Sequence, residues 1–280
     1  MRIIKAMMYK KYGKVFKKLR LQKNFNLSEF ERCGINKSII SRFETGKTMI
    51  SFENLYMALT ELNISLAEYD RALNNFSADD VNIIIDKILN AERKQEVFKL
   101  KQLYNTCINE NLVMLSIAVK SKFNILSISE IDTLRILLFD VEIWGYYELS
   151  VFFLTLEEFN EPYILQTIKR IIHQNNHINF IEFSYKRRLF EILYKASAFF
   201  STRGDERSAR FLLDTYSIEE IGDDLYINNI RNITIGVYLY YFKNKEFGKK
   251  RIVSALNIFK ELNQEVYFKY YKKKTAEILE

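Results

Sequence analysis

The stretch Ile35–Gly46, INKSIISRFETG, decides how the N-terminal part of this chain reads. Asn36 is a favoured N-cap, because its side-chain oxygen can accept from a free N–H of the first helical turn. It predicts a short helix over Lys37–Phe43. Ile40 and Phe43 fall on one face; Lys37, Ser38, Ser41 and Arg42 fall on the others. A short helix carrying small polar and cationic side chains suits the major groove of DNA, where such groups reach base edges and phosphates. Lys47, just beyond it, is placed for a phosphate. A merely solvated face would give the same pattern, so the flanking sequence has to decide.

The flanks favour a DNA-binding unit. Gly13–Lys23 predicts a helix with Val15, Phe16 and Leu19 apolar and Lys14, Lys17, Lys18 and Arg20 cationic. Asn26-Leu27-Ser28-Glu29 has the form of a capping box opening a second helix, which Gly34 ends. Ser51 can cap a fourth helix containing Leu55, Ala58, Leu59 and Leu62, and Ser65-Leu66-Ala67-Glu68 is a capping box for a fifth. Five short helices, the second and third joined by a tight turn, make a helix-turn-helix domain over 8–75. Residues 1–9 precede its motifs and have no evident role.

These residues resemble the Cro/phage-repressor (XRE-type) helix-turn-helix family. Arg20, the run Ser41–Gly46 (SRFETG), and Leu66 with Tyr69 after Ser65 carry the likeness. The resemblance implies that Arg20 pairs with Glu44, a structural tie between two helices. The wording KSIISRFETG, followed by Ile50-Ser51, is similar more narrowly to the Rgg/MutR regulators. Ile143–Leu149 (IWGYYEL) and Gly236–Tyr240 (GVYLY) resemble the C-terminal domain of that family. The likeness implies a homodimer, a tetratricopeptide-like peptide-binding domain, and control of transcription by a short pheromone peptide, as in quorum sensing.

Charge location fits the first domain's role. Residues 1–75 hold 14 Lys+Arg against 7 Asp+Glu, and the whole chain is only +7, so the other 205 residues balance to zero. An excess confined to one domain points to a polyanion there, double-stranded DNA. Two cysteines, Cys33 and Cys107, set no disulfide framework, and no apolar run approaches a membrane span. The reading is a cytoplasmic protein without a membrane segment.

From Asp79 onward nearly everything has helical spacing, with one proline and eight glycines in the full chain arguing against an all-β fold. Asn74–Ser77 is the expected boundary, and 78–280 the second domain. Val81, Ile84, Ile85, Ile88 and Leu89 lie on one helix face. Ser127-Ile128-Ser129-Glu130 is another capping box. Phe190–Tyr216 and Ile230–Phe259 are a faint repeat: an aromatic-rich helix with a small residue inside (Ala196, Gly236), a short charged turn, then a second amphipathic helix. That is the mark of a helical-pair solenoid; an irregular bundle is the alternative. In Lys249–Glu280, Ile252, Leu256, Phe259, Leu262 and Val266 have helical spacing with lysines beside them, which fits a dimer interface. The fold expected is all-α: a five-helix helix-turn-helix domain followed by a right-handed tetratricopeptide-like repeat domain.

Catalytic and metal chemistry find no support. His173 and His177 are spaced to share a helix face, but no Cys or carboxylate sits at ligand spacing beside them. Neither Glu157-Glu158 nor Asp223-Asp224 makes an acid/base dyad, since helix neighbours point about 100° apart. No cofactor motif is present. Amides are more suggestive. Asn228, Asn229 and Asn232 cluster with Arg231, and Asn105 and Asn109 lie on an earlier helix. Asn can donate to and accept from an extended peptide backbone, and Arg can grip a carboxylate bidentately. Asn228, Arg231, Asn232 and Asn105, with Tyr104 on an apolar wall, are the expected contacts to a short hydrophobic peptide. The same residues also make ordinary caps, and a helical domain that takes a protein partner or a non-peptide ligand is the competing reading.

Overall fold

The structure, a computed structural model, describes residues 2–74, 80–174 and 182–280. The chain divides into two compact units, residues 1–83 and 84–280. The expected boundary at Asn74–Ser77 lies, from residue 75 on, outside the described residues, and so does His177.

The first unit runs α1 (Arg2–Gln22), a 3-10 helix (Leu27–Cys33), α2 (Lys37–Glu44), α3 (Phe52–Glu61) and α4 (Leu66–Leu73). Local chemistry sets most of these boundaries. The Asn36 side chain accepts from the Ser38 N–H at 2.9 Å, and Ser51 and Ser65 cap α3 and α4 in the same way. Glu29 reaches back to the Asn26 N–H as a capping box requires, yet the segment it opens is 3-10. Gly34, at φ 78°, ends that segment and feeds α2 directly. Phe16 sits at the centre of the core, with the rings of Phe43 at 5.6 Å and Phe30 at 5.9 Å. The Tyr69 hydroxyl donates to the Tyr12 carbonyl at 2.9 Å and fastens α4 to α1.

Gly13 does not start the first helix; it lies inside α1. A Cβ on it would meet the Phe43 carbonyl oxygen at 1.8 Å. The glycine is there because the backbones of α1 and α2 touch. Gly46 works similarly: its φ is 72°, and a Cβ would lie 2.8 Å from Cα of Lys10.

The rest of the chain is helical among the described residues. It comprises α5 (Asp80–Arg93), α6 (Val97–Asn109), α7 (Val113–Lys120), α8 (Ile128–Phe139), α9 (Tyr146–Thr155), a 3-10 turn (Leu156–Glu158), α10 (Glu161–Gln174), α11 (Phe183–Thr202), α12 (Glu206–Leu213), α13 (Ile218–Ile221), α14 (Leu225–Phe242), α15 (Lys245–Glu261), α16 (Glu265–Lys274) and α17 (Ala276–Leu279). The division between units falls within α5. Successive helices pack as pairs, α6 on α7, α11 on α12 and α14 on α15, and α11 also packs on α14. The faint repeat therefore corresponds to two stacked helical pairs.

The small residues within the repeat mark close crossings. A Cβ on Gly236 would lie 2.6 Å from the Ile252 side chain, and one on Gly248 would lie 2.6 Å from the Tyr240 backbone nitrogen. Asn229 bridges the same crossing by donating to the Ala255 carbonyl at 2.9 Å. The basic C-terminal stretch is divided among α15, α16 and α17. Asn263 takes a left-handed φ of 55°, ends α15 and turns the chain into α16. Asn24, Asn63, Gln95 and Asn111 do the same elsewhere, an amide standing where glycine is more usual.

Gly13→Ala should destabilise the first unit by about 1–3 kcal/mol, the usual cost of overpacking against backbone that cannot yield. Thermal unfolding should show the loss, while Lys14→Ala, one residue along on the exposed side of α1, leaves the midpoint unchanged.

Candidate DNA-reading helix and ligand cavity

α2 presents Lys37, Ser38 and Arg42 to solvent and Ser41 in part, while Ile40 and Phe43 are buried. Lys47 is exposed, and its N–H donates to the Arg42 carbonyl at 2.9 Å, which holds the loop against the helix end. The five cationic and hydroxyl residues read from the sequence thus lie on α2 or in the loop directly after it. Behind them, Arg20 and Glu44 are both nearly inaccessible. Arg20 Nε donates to Glu44 Oε1 at 2.6 Å and Nη2 to Oε2 at 3.0 Å. The remaining nitrogen, Nη1, donates to the Phe25 carbonyl at 2.6 Å. One guanidinium therefore spans α1, the loop before the 3-10 helix, and the last turn of α2.

The second unit contains a cavity of about 390 Å³ among α9, α11, α14, α16 and α17. Tyr194, Phe199, Ile230, Ile233 and Val237 form much of its apolar wall. Lys195, Arg203 and Lys274 supply cationic groups, and Glu157, Glu191 and Glu277 acidic ones. This size falls within the range of small-ligand sites.

The cavity floor rests on a buried polar junction. Glu191 accepts from Arg188 Nη1 at 2.6 Å and from the Tyr226 hydroxyl at 2.8 Å, and Arg93 Nη2 approaches at 3.5 Å. The hydroxyls of Tyr226 and Tyr271 are 2.9 Å apart. Arg188 also donates to the Tyr146 hydroxyl at 3.3 Å. Burial and then the Glu191 charge push the Tyr226 phenol well above its usual range. Nearer the opening, Lys195 and then Lys274 hold the Glu157 carboxyl down at about 2.

The residues expected to contact a peptide are dispersed. Asn228 donates to the Gly222 and Asp224 carbonyls at 2.8 and 3.1 Å, and so closes the turn before α14. Asn232 accepts from Arg251 at 2.8 Å. Arg231 lies beside Tyr194, whose phenol burial raises and Arg231 lowers; its own Nε is buried without a hydrogen bond. Asn105 is exposed on α6, and Tyr104 packs edge-on against Phe123 at 6.0 Å. Tyr194 lines the cavity, and Tyr104 does not. Lys195, Tyr271 and the others lining it have no spacing signal, because they come from separate helices.

Cys33 donates to the Phe30 carbonyl at 3.0 Å, and burial pushes the Cys107 thiol up to about 11. Among the described residues no helix is long and apolar enough to cross a membrane.

Comparison with known proteins gives two family matches. Residues 87–273 match the family described as HTH-type transcriptional regulator Rgg, C-terminal domain, and residues 16–69 match a helix-turn-helix family. Among solved structures, the fold is similar to the SHP pheromone receptor Rgg2 of Streptococcus dysgalactiae, with 21% identity over 95% of this chain and 99% of that one, TM-score 0.73. It is similar also to a candidate transcriptional regulator from Listeria monocytogenes EGD-e, with 17% identity over 97% and 98%, TM-score 0.76. The PrgX/cCF10 complex matches with 16% identity over 96% and 98%, TM-score 0.64.

Glu44→Ala should leave Arg20 buried beside no carboxylate and cost about 3 kcal/mol. Chemical denaturation of the first unit's signal checks this; Glu44→Gln, which keeps one acceptor, should lose less.

Proposed function

This chain belongs to the Rgg family of helix-turn-helix transcriptional regulators, and from that premise we propose that it binds double-stranded DNA through α2 and is controlled by a short apolar peptide held in the cavity between α11, α14 and α16. Lys37, Ser38, Ser41 and Arg42 read base edges, and Lys47 holds a phosphate. The protein works in the cytoplasm as a homodimer, so that two α2 helices reach half-sites one helical turn apart.

The observation that carries the peptide reading is the cavity itself: an aromatic and aliphatic wall, charged groups of both signs at its edges, and a rigid polar floor. Apolar peptide side chains would supply most of the affinity, and polar groups would fix register. Two solved structures of similar fold are described as a SHP pheromone receptor and a bacterial peptide pheromone/receptor complex, which supports the same reading. Arg231 takes part through Tyr194 on the cavity wall, and Asn228 and Asn232 hold the start of α14 in place. A peptide acts by favouring one arrangement of the protein over another.

Two measurements test this. In binding to a selected operator, Lys37→Ala and Ser38→Ala should change sequence preference. Lys47→Ala should weaken all sequences alike and reduce the salt slope by about one unit. In the second, Ala198→Trp places a large ring at the half-buried cavity wall. It should abolish binding of apolar peptides of roughly 5–10 residues while leaving peptide-free DNA affinity intact. Unchanged peptide binding in that variant would remove the cavity as the seat.

A further inference from the structure

Resting on the reading of the cavity as a peptide seat, we infer that the ligand brings a carboxylate, its own C-terminus or an acidic side chain, and that Lys195 receives it. Lys195 lies in the middle of α11 with its side chain 13% exposed, on the cavity wall. Its Nζ donates to the Phe153 carbonyl at 2.9 Å. The carboxylate within ion-pair range of it among the described residues is Glu157, and that oxygen is 3.8 Å away, beyond a hydrogen bond. The ammonium group carries three protons, so it has donors left to give.

The charge around Lys195 does not close. Lys274 of α16 sits 3.5 Å from the other oxygen of Glu157, and Lys122, in the turn after α7, acts on both Glu157 and Lys195. Glu92 of α5 is the other acid that Lys195 feels. Two ammonium groups therefore share the Glu157 carboxylate, at 3.8 and 3.5 Å. Glu191 does not redress this, because Arg188 and Arg93 already face it. Arg203, just past the end of α11, has Glu161 at 3.8 Å, and Glu277 of α17 also lines the cavity.

A cation that shares its one ion-pairing carboxylate with a second lysine, beside an apolar wall, is costly to keep, and a methionine would pack there as well. A ligand whose carboxylate completes the cluster while its apolar side chains lie on Ile230, Ile233 and Val237 accounts for both features. Desolvation already pulls the Lys195 ammonium down to about 8. A bound carboxylate favours the protonated form, so affinity should be full below that value and fall as pH rises through it.

The test uses the full chain and an N-terminally fluorescein-labelled library of apolar peptides of about seven residues. The library is made as free acids, as C-terminal amides, and as amides bearing one Asp; binding is read by fluorescence polarisation. Free acid or Asp-bearing amide should bind at least about tenfold tighter than the plain amide, and whichever does so identifies the carboxylate. Lys195→Met should erase that preference and leave affinity for the plain amide within about twofold. In the parent protein the preference should shrink between about pH 7 and about pH 9.5. Equal binding of all three forms, or a preference that survives Lys195→Met, overturns the inference while leaving the peptide reading standing. If no form binds, the peptide reading falls and this inference falls with it.

Discussion

The buried carboxylate of Glu191 is the constraint on which the larger unit depends. Removing a charge from water costs several kcal/mol unless partners replace the lost hydration. Glu191 meets that demand with two guanidinium groups and a phenol drawn from α5, α11 and α14, and a second phenol from α16 completes the set. Because each donor must stay within hydrogen-bond reach, the four helices are fixed in spacing as well as in contact. Glu191 and Tyr271 of this set line the cavity, whose walls come from α9, α11, α14, α16 and α17. Aliphatic packing could fill the same volume, but it would not set register so narrowly.

The smaller unit uses the same physics on a shorter scale. Arg20 makes three hydrogen bonds to two elements, and the glycines at 13 and 46 let α1 lie directly on the backbone at the end of α2. α2 is only eight residues long, too short to be stable by itself. Its orientation therefore comes from these contacts, and they leave its cationic and hydroxyl face clear.

The parts of this architecture legible in the sequence are those set by neighbours in the chain. The caps at Asn36, Ser65 and Ser127 depend on residues two or three positions away, so local pattern alone places the helices they open. Gly13 reads as a helix start because a glycine's local signal is a break. Its actual reason, the Phe43 carbonyl, is thirty residues distant. The 3-10 form of Leu27–Cys33 is hidden because a capping box opens either kind of helix. The amides at 228 and 232 advertise hydrogen bonding without naming the partner, and here the partners are a turn and Arg251. The cavity leaves no pattern at all: Phe153, Lys195, Val237 and Tyr271 come together only when α9, α11, α14 and α16 pack.

α5 has residues in both units. It carries Arg93 of the Glu191 junction, and the division between the units falls within it. A ligand that changes how Glu191 and Tyr271 are held would therefore bear on α5 through Arg93. Hydrogen–deuterium exchange on the full chain, with and without a bound apolar peptide, tests this most directly. Bound peptide should slow exchange in α11, α14 and α16 and alter the rate in α5. Protection confined to α6, α7 and α8, with α5, α11, α14 and α16 unchanged, would contradict it.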